Sequence, residues 1–408
     1  MGPYPPQRVI RRRRAVALGV IAVVVVGLFL LLQGGDTDEP SYSPLKLAND
    51  PWAYDAARDA DFESRAAAGH SHAIYVKSPG GIVATAARVA RYRDDVEKAA
   101  SEAGVDPDLI EGMVLLESAG RPDARASDDL ESAVGLTQIL AETATGLLGM
   151  HVDVAASERL TRKLERARSA RQADRIRAQR ARVDERFDPA KALAATGRYL
   201  KQAKDEFGRE DLAVVSYHMG IGNLQNVLAA YGDDHASYAQ LYFDTSPDSN
   251  ARAYRILYAL GDDSKTYYWR VLAARRIMRL YRDDRAELER LSGLQRSASS
   301  SELVLHPDGT ADDTEVGTLR PEATAVLEYI RNGVSAVSGV TTPLRIVRRH
   351  GFSFDVRRQY ASDTQAQAFQ YMLDRLQALN LIAWARLGNT IHVTASSEGK
   401  RLLAVSPN

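Results

Sequence analysis

From residue 82 to about 290 the apolar side chains recur at three- and four-residue spacing, with almost no alternating run, so most of this chain is committed to packed helices. The periodicity predicts segments over Val83–Ala103, Thr143–Leu148, Ser157 to about Phe187, Asp211–His218, Tyr254–Leu260 and Tyr267–Leu288. Two further helices open on Asp-Pro pairs. Asp106-Pro107 and Asp188-Pro189 each place a capping carboxylate before a proline, whose missing N–H costs nothing in a first turn. Gly220 and Gly222 break the pattern after His218. Residues 293–318 are polar, with Ser297-Ala298-Ser299-Ser300-Ser301, and read as a linker. Beyond it the period changes. Pro321–Val337 and Thr364–Leu379 read as helices, while Leu344–Val347, Phe352–Val356, Ile382–Leu387 and Thr390–Thr394 read as strands. The fold class is therefore mainly α, with a small α+β domain over 319–408.

A chain of 408 residues has room for two or three cores. Its 53 basic and 53 acidic side chains balance, which gives no argument for nucleic acid or another polyanion as partner. It has no cysteine, so disulfides and thiolate metal sites are excluded. Residues 1–14 are a basic tail, with Arg8 and Arg11-Arg12-Arg13-Arg14. Ala15–Leu32 then runs apolar apart from two glycines. As a helix these residues cover about 27 Å, against a hydrocarbon core of roughly 30 Å. With Asp36, Asp38 and Glu39 beyond it, segment 15–33 is expected to be an uncleaved transmembrane anchor with a cytoplasmic N-terminus. No small-x-small cleavage pattern follows Leu32. Residues 34–80 read as an extracytoplasmic spacer with one short helix near Tyr54–Ala68. His70 and His72 in it are expected to be solvated and carry no function.

The chemistry concentrates where an apolar run ends in a carboxylate. Leu109-Ile110-Glu111-Gly112-Met113-Val114-Leu115-Leu116 leads into Glu117-Ser118. A carboxyl held against apolar side chains keeps its proton to higher pH, as a general acid must. Gly135-Leu136-Thr137-Gln138-Ile139 and Ser216-Tyr217-His218-Met219-Gly220 follow in order. Between them, about 152–186 is rich in arginine and poor in apolar stripe, and reads as a solvated helix or helical hairpin.

These blocks resemble the soluble lytic transglycosylases, lysozyme-like enzymes that cut peptidoglycan. The family's Pro-led helix ending in Glu-Ser is matched by Pro107 through Glu117-Ser118. Its Gly-Leu-Met-Gln-Ile and Thr-Ala are matched by Gly135–Ile139 and Thr143-Ala144. Its Asp-Pro helix carrying Tyr-Leu is matched by Asp188-Pro189 and Tyr199-Leu200. Its Ala-Tyr-Asn-Ala-Gly corresponds to Ser216–Gly220, and its final Tyr-led helix to Tyr267-Tyr268-Trp269-Arg270-Val271. The chain departs from the pattern at Thr137 for Met and His218 for Asn. Its Glu117–Gln138 loop is slightly longer, with Asp128, Asp129 and Glu131, and 152–186 resembles an insertion. The resemblance implies a lysozyme-like catalytic domain over 81–292 that needs no cofactor or metal. Glu117 would act as acid and then base, and Ser127, Gln138, Tyr217, His218 and Tyr267 would hold the glycan. The implied reaction breaks the MurNAc-GlcNAc β-1,4 bond and closes a 1,6-anhydro ring on the sugar's own C6 hydroxyl.

The C-terminal segment Gly351–Val356, with Trp384 and Thr390-Ile391-His392-Val393, resembles zinc D-Ala-D-Ala carboxypeptidases. Asp355 and His392 match two of that family's ligands. Arg348 stands where it has its first zinc-binding His, and Asn389 stands at its catalytic Glu. This implies a degenerate, non-catalytic module. The chain as a whole is expected to sit in the cell membrane with its body in the periplasm or wall space. Its expected partners are glycan strands and the lipid around the anchor. Partnership with cell-wall synthesis, division or secretion proteins is compatible with that location. Three competing readings remain open: a hydrolase using Asp128 or Asp129 to activate water, a wall-binding scaffold that does not cut, and a working peptidase in the C-terminal segment with zinc on Asp355 and His392.

Overall fold

A computed structural model of the protein describes residues 47–48, 52–260, 263–294, 316–404 and 406–407. The basic tail, the expected anchor and most of the 293–318 linker lie outside these residues. Among the described residues no helix is long and apolar enough to cross a membrane.

The centre of the body is the helix Tyr267–Asp283, which packs against Asp59–Lys77 on one side and Pro107–Ser118 on another. The sequence dictates this closeness at Gly112, where a Cβ would lie 2.9 Å from the Val271 carbonyl oxygen. Only a bare Cα lets the two backbones meet there. Charge fixes the register of the pair. Glu111 is buried and accepts from Arg93 at 3.0 Å and from Arg282, while Asp108 accepts from Arg93 at 2.7 Å, Arg279 at 2.6 Å and Arg282 at 2.9 Å. Breaking one member of such a buried network costs several kcal/mol, so the helix cannot slide.

Both Asp-Pro helix starts form. Asp106 accepts the Asp108 N–H at 2.9 Å, and Asp188 accepts the Lys191 N–H at 3.2 Å. The stretch expected as one helix over Val83–Ala103 divides into Ile82–Ala90 and Arg93–Ala103. The arginine-rich stretch is a hairpin of Val154–Glu165 and Ala170–Val183. Not all of it is solvated. Arg180 and Arg186 are buried, and the Arg180 guanidinium lies 3.7 Å from the Phe187 ring centroid.

The expected spacer differs most. Asp59–Lys77 is a 19-residue helix, and His70 and His72 are buried in it rather than solvated. This helix is covered by Tyr267–Asp283 and also by the C-terminal helix Asp363–Ala378. A helix covered on two sides needs small residues more than a polar face, which is why its sequence lacks an amphipathic signature. At Gly69 a Cβ would lie 1.8 Å from the Gln377 carbonyl oxygen.

The C-terminal segment is a five-stranded sheet with two helices, Pro321–Ser338 and Asp363–Ala378. The strand order is Val316–Leu319, Ile346–Gly351, Ser353–Arg357, Thr390–Ala395, Ile382–Leu387. The first pair is parallel and the others antiparallel. The segment is anchored on the helical body. Arg375 donates to the carbonyls of Trp52 and Phe243, both at 2.9 Å, and Lys265 pairs with Asp374 at 2.9 Å.

Candidate active site

Glu117 stands in the last turn of its helix, with Ala119 beyond it in the left-handed conformation that ends the helix. Tyr267, in the first turn of the central helix, donates its hydroxyl to Glu117 Oε1 at 2.7 Å. Burial pushes the Glu117 carboxyl up to about 7. The Tyr267 hydrogen bond and the Arg270 charge work against that rise, and Asp263 adds to it. Asp263 is itself held by Arg270. The group is thus close to evenly protonated at neutral pH, where one carboxyl can give a proton and take one back.

Three aromatic rings form the wall beside it. Tyr217 and Tyr267 stack with centroids 6.4 Å apart, and His218 stacks on Tyr267 at 5.0 Å. The His218 Nδ1 lies 2.8 Å from the Ser264 hydroxyl. Tyr217 donates to the Thr137 carbonyl at 2.7 Å, which ties this wall to the 125–139 loop. Gln138, the next residue, has φ 52°, and its side-chain amide donates to the Gly135 carbonyl at 2.8 Å. A non-glycine residue held left-handed stores strain, and such positions cluster at ligand sites. Ser127 is placed differently. It is exposed in the loop, with its hydroxyl 2.8 Å from that of Ser132, and no contact joins it to the Glu117 group.

Asp128 and Asp129 occupy the same exposed turn. Asp128 is fully solvated, and Asp129 accepts the Glu131 N–H at 2.9 Å. The acid that couples electrostatically to Glu117 is Asp263 instead, which the sequence reading missed, as it did Arg270's hold on it. Asp263 lies before the helix that carries Arg270, so no within-helix spacing signalled the pair.

In the C-terminal segment Asp355 and His392 do come together, 2.7 Å apart. Arg348 lies on both, donating to Asp355 at 3.0 Å and standing 3.0 Å from His392 Nδ1. Although burial opposes it, contact with His392 and the Arg348 charge hold the Asp355 carboxyl below its usual range. A zinc ion here would have to displace a guanidinium that already supplies the positive charge, so these residues do not fit the metal.

Comparison with protein families gives a match to the Transglycosylase SLT domain over residues 166–239. The match supports a relation to the soluble lytic transglycosylase family, whose domain indicates lytic transglycosylase-like cleavage of peptidoglycan. The match begins inside the stretch expected as an insertion and includes Tyr199, Tyr217 and His218. Glu117, Ser127, Gln138 and Tyr267 lie outside it. No curated protein and no solved structure matches the chain.

Removing the Tyr267 hydroxyl tests the pairing with Glu117. Because that bond favours ionised Glu117, Tyr267→Phe is expected to move the alkaline limb of the kcat/KM profile to higher pH. It is also expected to lower kcat by about tenfold, the worth of one hydrogen bond to a charged group. A profile that keeps its limb in place would separate the two residues functionally.

Proposed function

We propose that this protein is a membrane-anchored lytic transglycosylase that cleaves the MurNAc-GlcNAc β-1,4 bond of peptidoglycan with 1,6-anhydro ring formation. The observation that carries the reading is the raised carboxyl of Glu117, which accepts the Tyr267 hydroxyl in a cleft. Cleavage needs a proton on the leaving oxygen and a base for the incoming hydroxyl. Protonated Glu117 gives its proton to the bridging oxygen as the bond breaks. The carboxylate left behind then accepts the proton of the C6 hydroxyl as that oxygen closes on the anomeric carbon, and Glu117 returns protonated. The substrate's N-acetyl group assists at the anomeric carbon. Tyr217, His218 and Gln138 line the track for the glycan. The anchor at Ala15–Leu32 keeps the body against the wall, a reading supported by the basic residues before it.

A hydrolase would need a second free carboxylate beside Glu117 to activate water, and Asp263, the acid that couples to Glu117, is committed to Arg270. Mass spectrometry of muropeptides released by the full chain decides the chemistry. Anhydro-ended products are expected. Reducing ends would make the protein a hydrolase, and no release would make it a wall-binding scaffold.

A further inference from the structure

Glu117 also lines a cavity of about 530 Å³. One of its walls belongs to the C-terminal segment, through Gln370, Asp374 and Gln377 of one helix and Trp384 of the adjoining strand. The facing wall is the helix Asp59–Lys77, with His70 and Lys77. The C-terminal wall is fixed rather than tethered. Lys265 pairs with Asp374, Gln377 donates to the Gly69 carbonyl at 3.3 Å, and Tyr371 meets Tyr254 edge-on at 5.6 Å.

The polar groups in this cavity have one chemistry in common. The Trp384 indole N–H is buried and has no acceptor among the described residues, a state unfavourable until something supplies one. Burial lowers the His70 pKa to about 4, so its ring is neutral. Its Nδ1 donates to the Ala66 carbonyl at 2.9 Å, which leaves Nε2 as an acceptor. Gln370 is tied through its amide nitrogen to Asp374 at 2.7 Å, which leaves its carbonyl oxygen to accept. One donor and two acceptors of this kind suit the N–H and C=O groups of amides. Lys77 and Arg121, which also line the cavity, are exposed, and neither meets a carboxylate within ion-pair distance among the described residues. They suit carboxylate groups on the same ligand.

We infer that this cavity takes the peptide carried by the muramic acid at the cleavage point, so that the C-terminal segment reads whether a glycan strand still bears its stem. The inference rests on the cleavage reading above and adds the substrate form to it. Because the cavity includes Glu117 itself, a peptide seated there would hold the neighbouring glycosidic bond at the acid.

The test compares the full chain on peptide-bearing peptidoglycan strands and on the same strands stripped of peptide by an amidase. In parallel, calorimetry follows a soluble muramyl peptide binding to the Glu117→Gln protein. Cleavage is expected to be about tenfold faster on the peptide-bearing strands, the worth of a few hydrogen bonds realised near the transition state. Two variants should each reduce that ratio and weaken muramyl peptide binding: Trp384→Phe, and the surface pair Lys77→Glu with Arg121→Glu. The second guards against a folding defect in the first. Equal rates on both strands, or a ratio unmoved by both variants, would overturn the inference while leaving cleavage intact. Inactivity on both strands with muramyl peptide still bound would overturn the cleavage reading but keep this site. Inactivity without binding would overturn both.

Discussion

Glu117→Gln is expected to lower glycan cleavage on the order of a thousandfold, and at the same time to make the protein more stable above neutral pH. On the proposed mechanism the loss of rate follows from removing the acid's proton, since general acid catalysis is worth about 10²–10⁴. Glutamine keeps the size of the side chain and still offers a carbonyl oxygen to the Tyr267 hydroxyl, so the wall of the cleft is retained. The gain in stability follows from linkage. The carboxyl is raised from 4.5 to about 7 on folding. Its favourable contribution is therefore complete below the unfolded pKa and is lost as pH rises through the folded one, because the ionised form is penalised by burial. Above pH 7 the wild type carries that penalty and the glutamine variant does not. With partial solvent contact the difference is about 1–3 kcal/mol. Urea unfolding of both proteins at pH 5 and pH 8 measures it. The variant should gain much more on the wild type at the higher pH, since only a small part of the loss is present at pH 5. A gain equal at both would mean that Glu117 titrates normally and that its environment does not make it an acid.

The same environment explains the expected pH profile. The protonated fraction of Glu117 falls through about pH 7, so kcat/KM should fall about tenfold per unit beyond it. A cleft acid with an ordinary carboxylate pKa would have lost its proton more than two units earlier.

What the sequence made legible was local. The proline-led helix starts could be read because a capping carboxylate and a missing N–H act within one turn, and both caps form. The strands Ser353–Arg357, Ile382–Leu387 and Thr390–Ala395 could be read because a pleat alternates with period two. Glu117 and Tyr267 are 150 positions apart, and only the family resemblance, not spacing, brought them into one site. Two features escaped. The helix Asp59–Lys77 looked like a spacer because burial on two faces removes the polar stripe by which a helix is recognised. The docking of Trp384 and Gln370 beside Glu117 depends on contacts across more than 250 positions, for which no local pattern exists. Ser127 was matched to the family's serine by resemblance alone, and its hydroxyl bonds to Ser132 and Asp129 in an exposed turn.

The arginine-rich stretch shows how composition misleads, and it yields the second large effect. Arg186, the last of that run, is fully buried and braces the glycan-side loop from beneath. It donates to Asp184 through two nitrogens, both at 2.9 Å, and to the carbonyls of Leu130 at 2.8 Å, Ser132 at 3.1 Å and Ile139 at 3.3 Å. Asp184 also accepts the Ser157 hydroxyl at 2.8 Å, which joins the hairpin to the same centre. The loop closes so tightly here that a Cβ on Gly135 would lie 1.9 Å from the Arg186 carbonyl oxygen. Asp184→Ala would leave a buried guanidinium without its counter-charge, a change that costs about 3–5 kcal/mol. Arg186→Met should cost a comparable amount, because it strands the Asp184 carboxylate and three carbonyls. The double variant should cost less than the sum, since each single change already breaks the shared interaction. Urea unfolding of the three proteins provides the cycle, and hydrogen exchange over residues 125–139 provides the local readout. Faster exchange there in both singles would show that the brace holds Thr137 and Gln138 in place against Tyr217. Additive costs with unchanged exchange would mean that the loop is held by its own turns, and that the buried pair serves only the hairpin behind it.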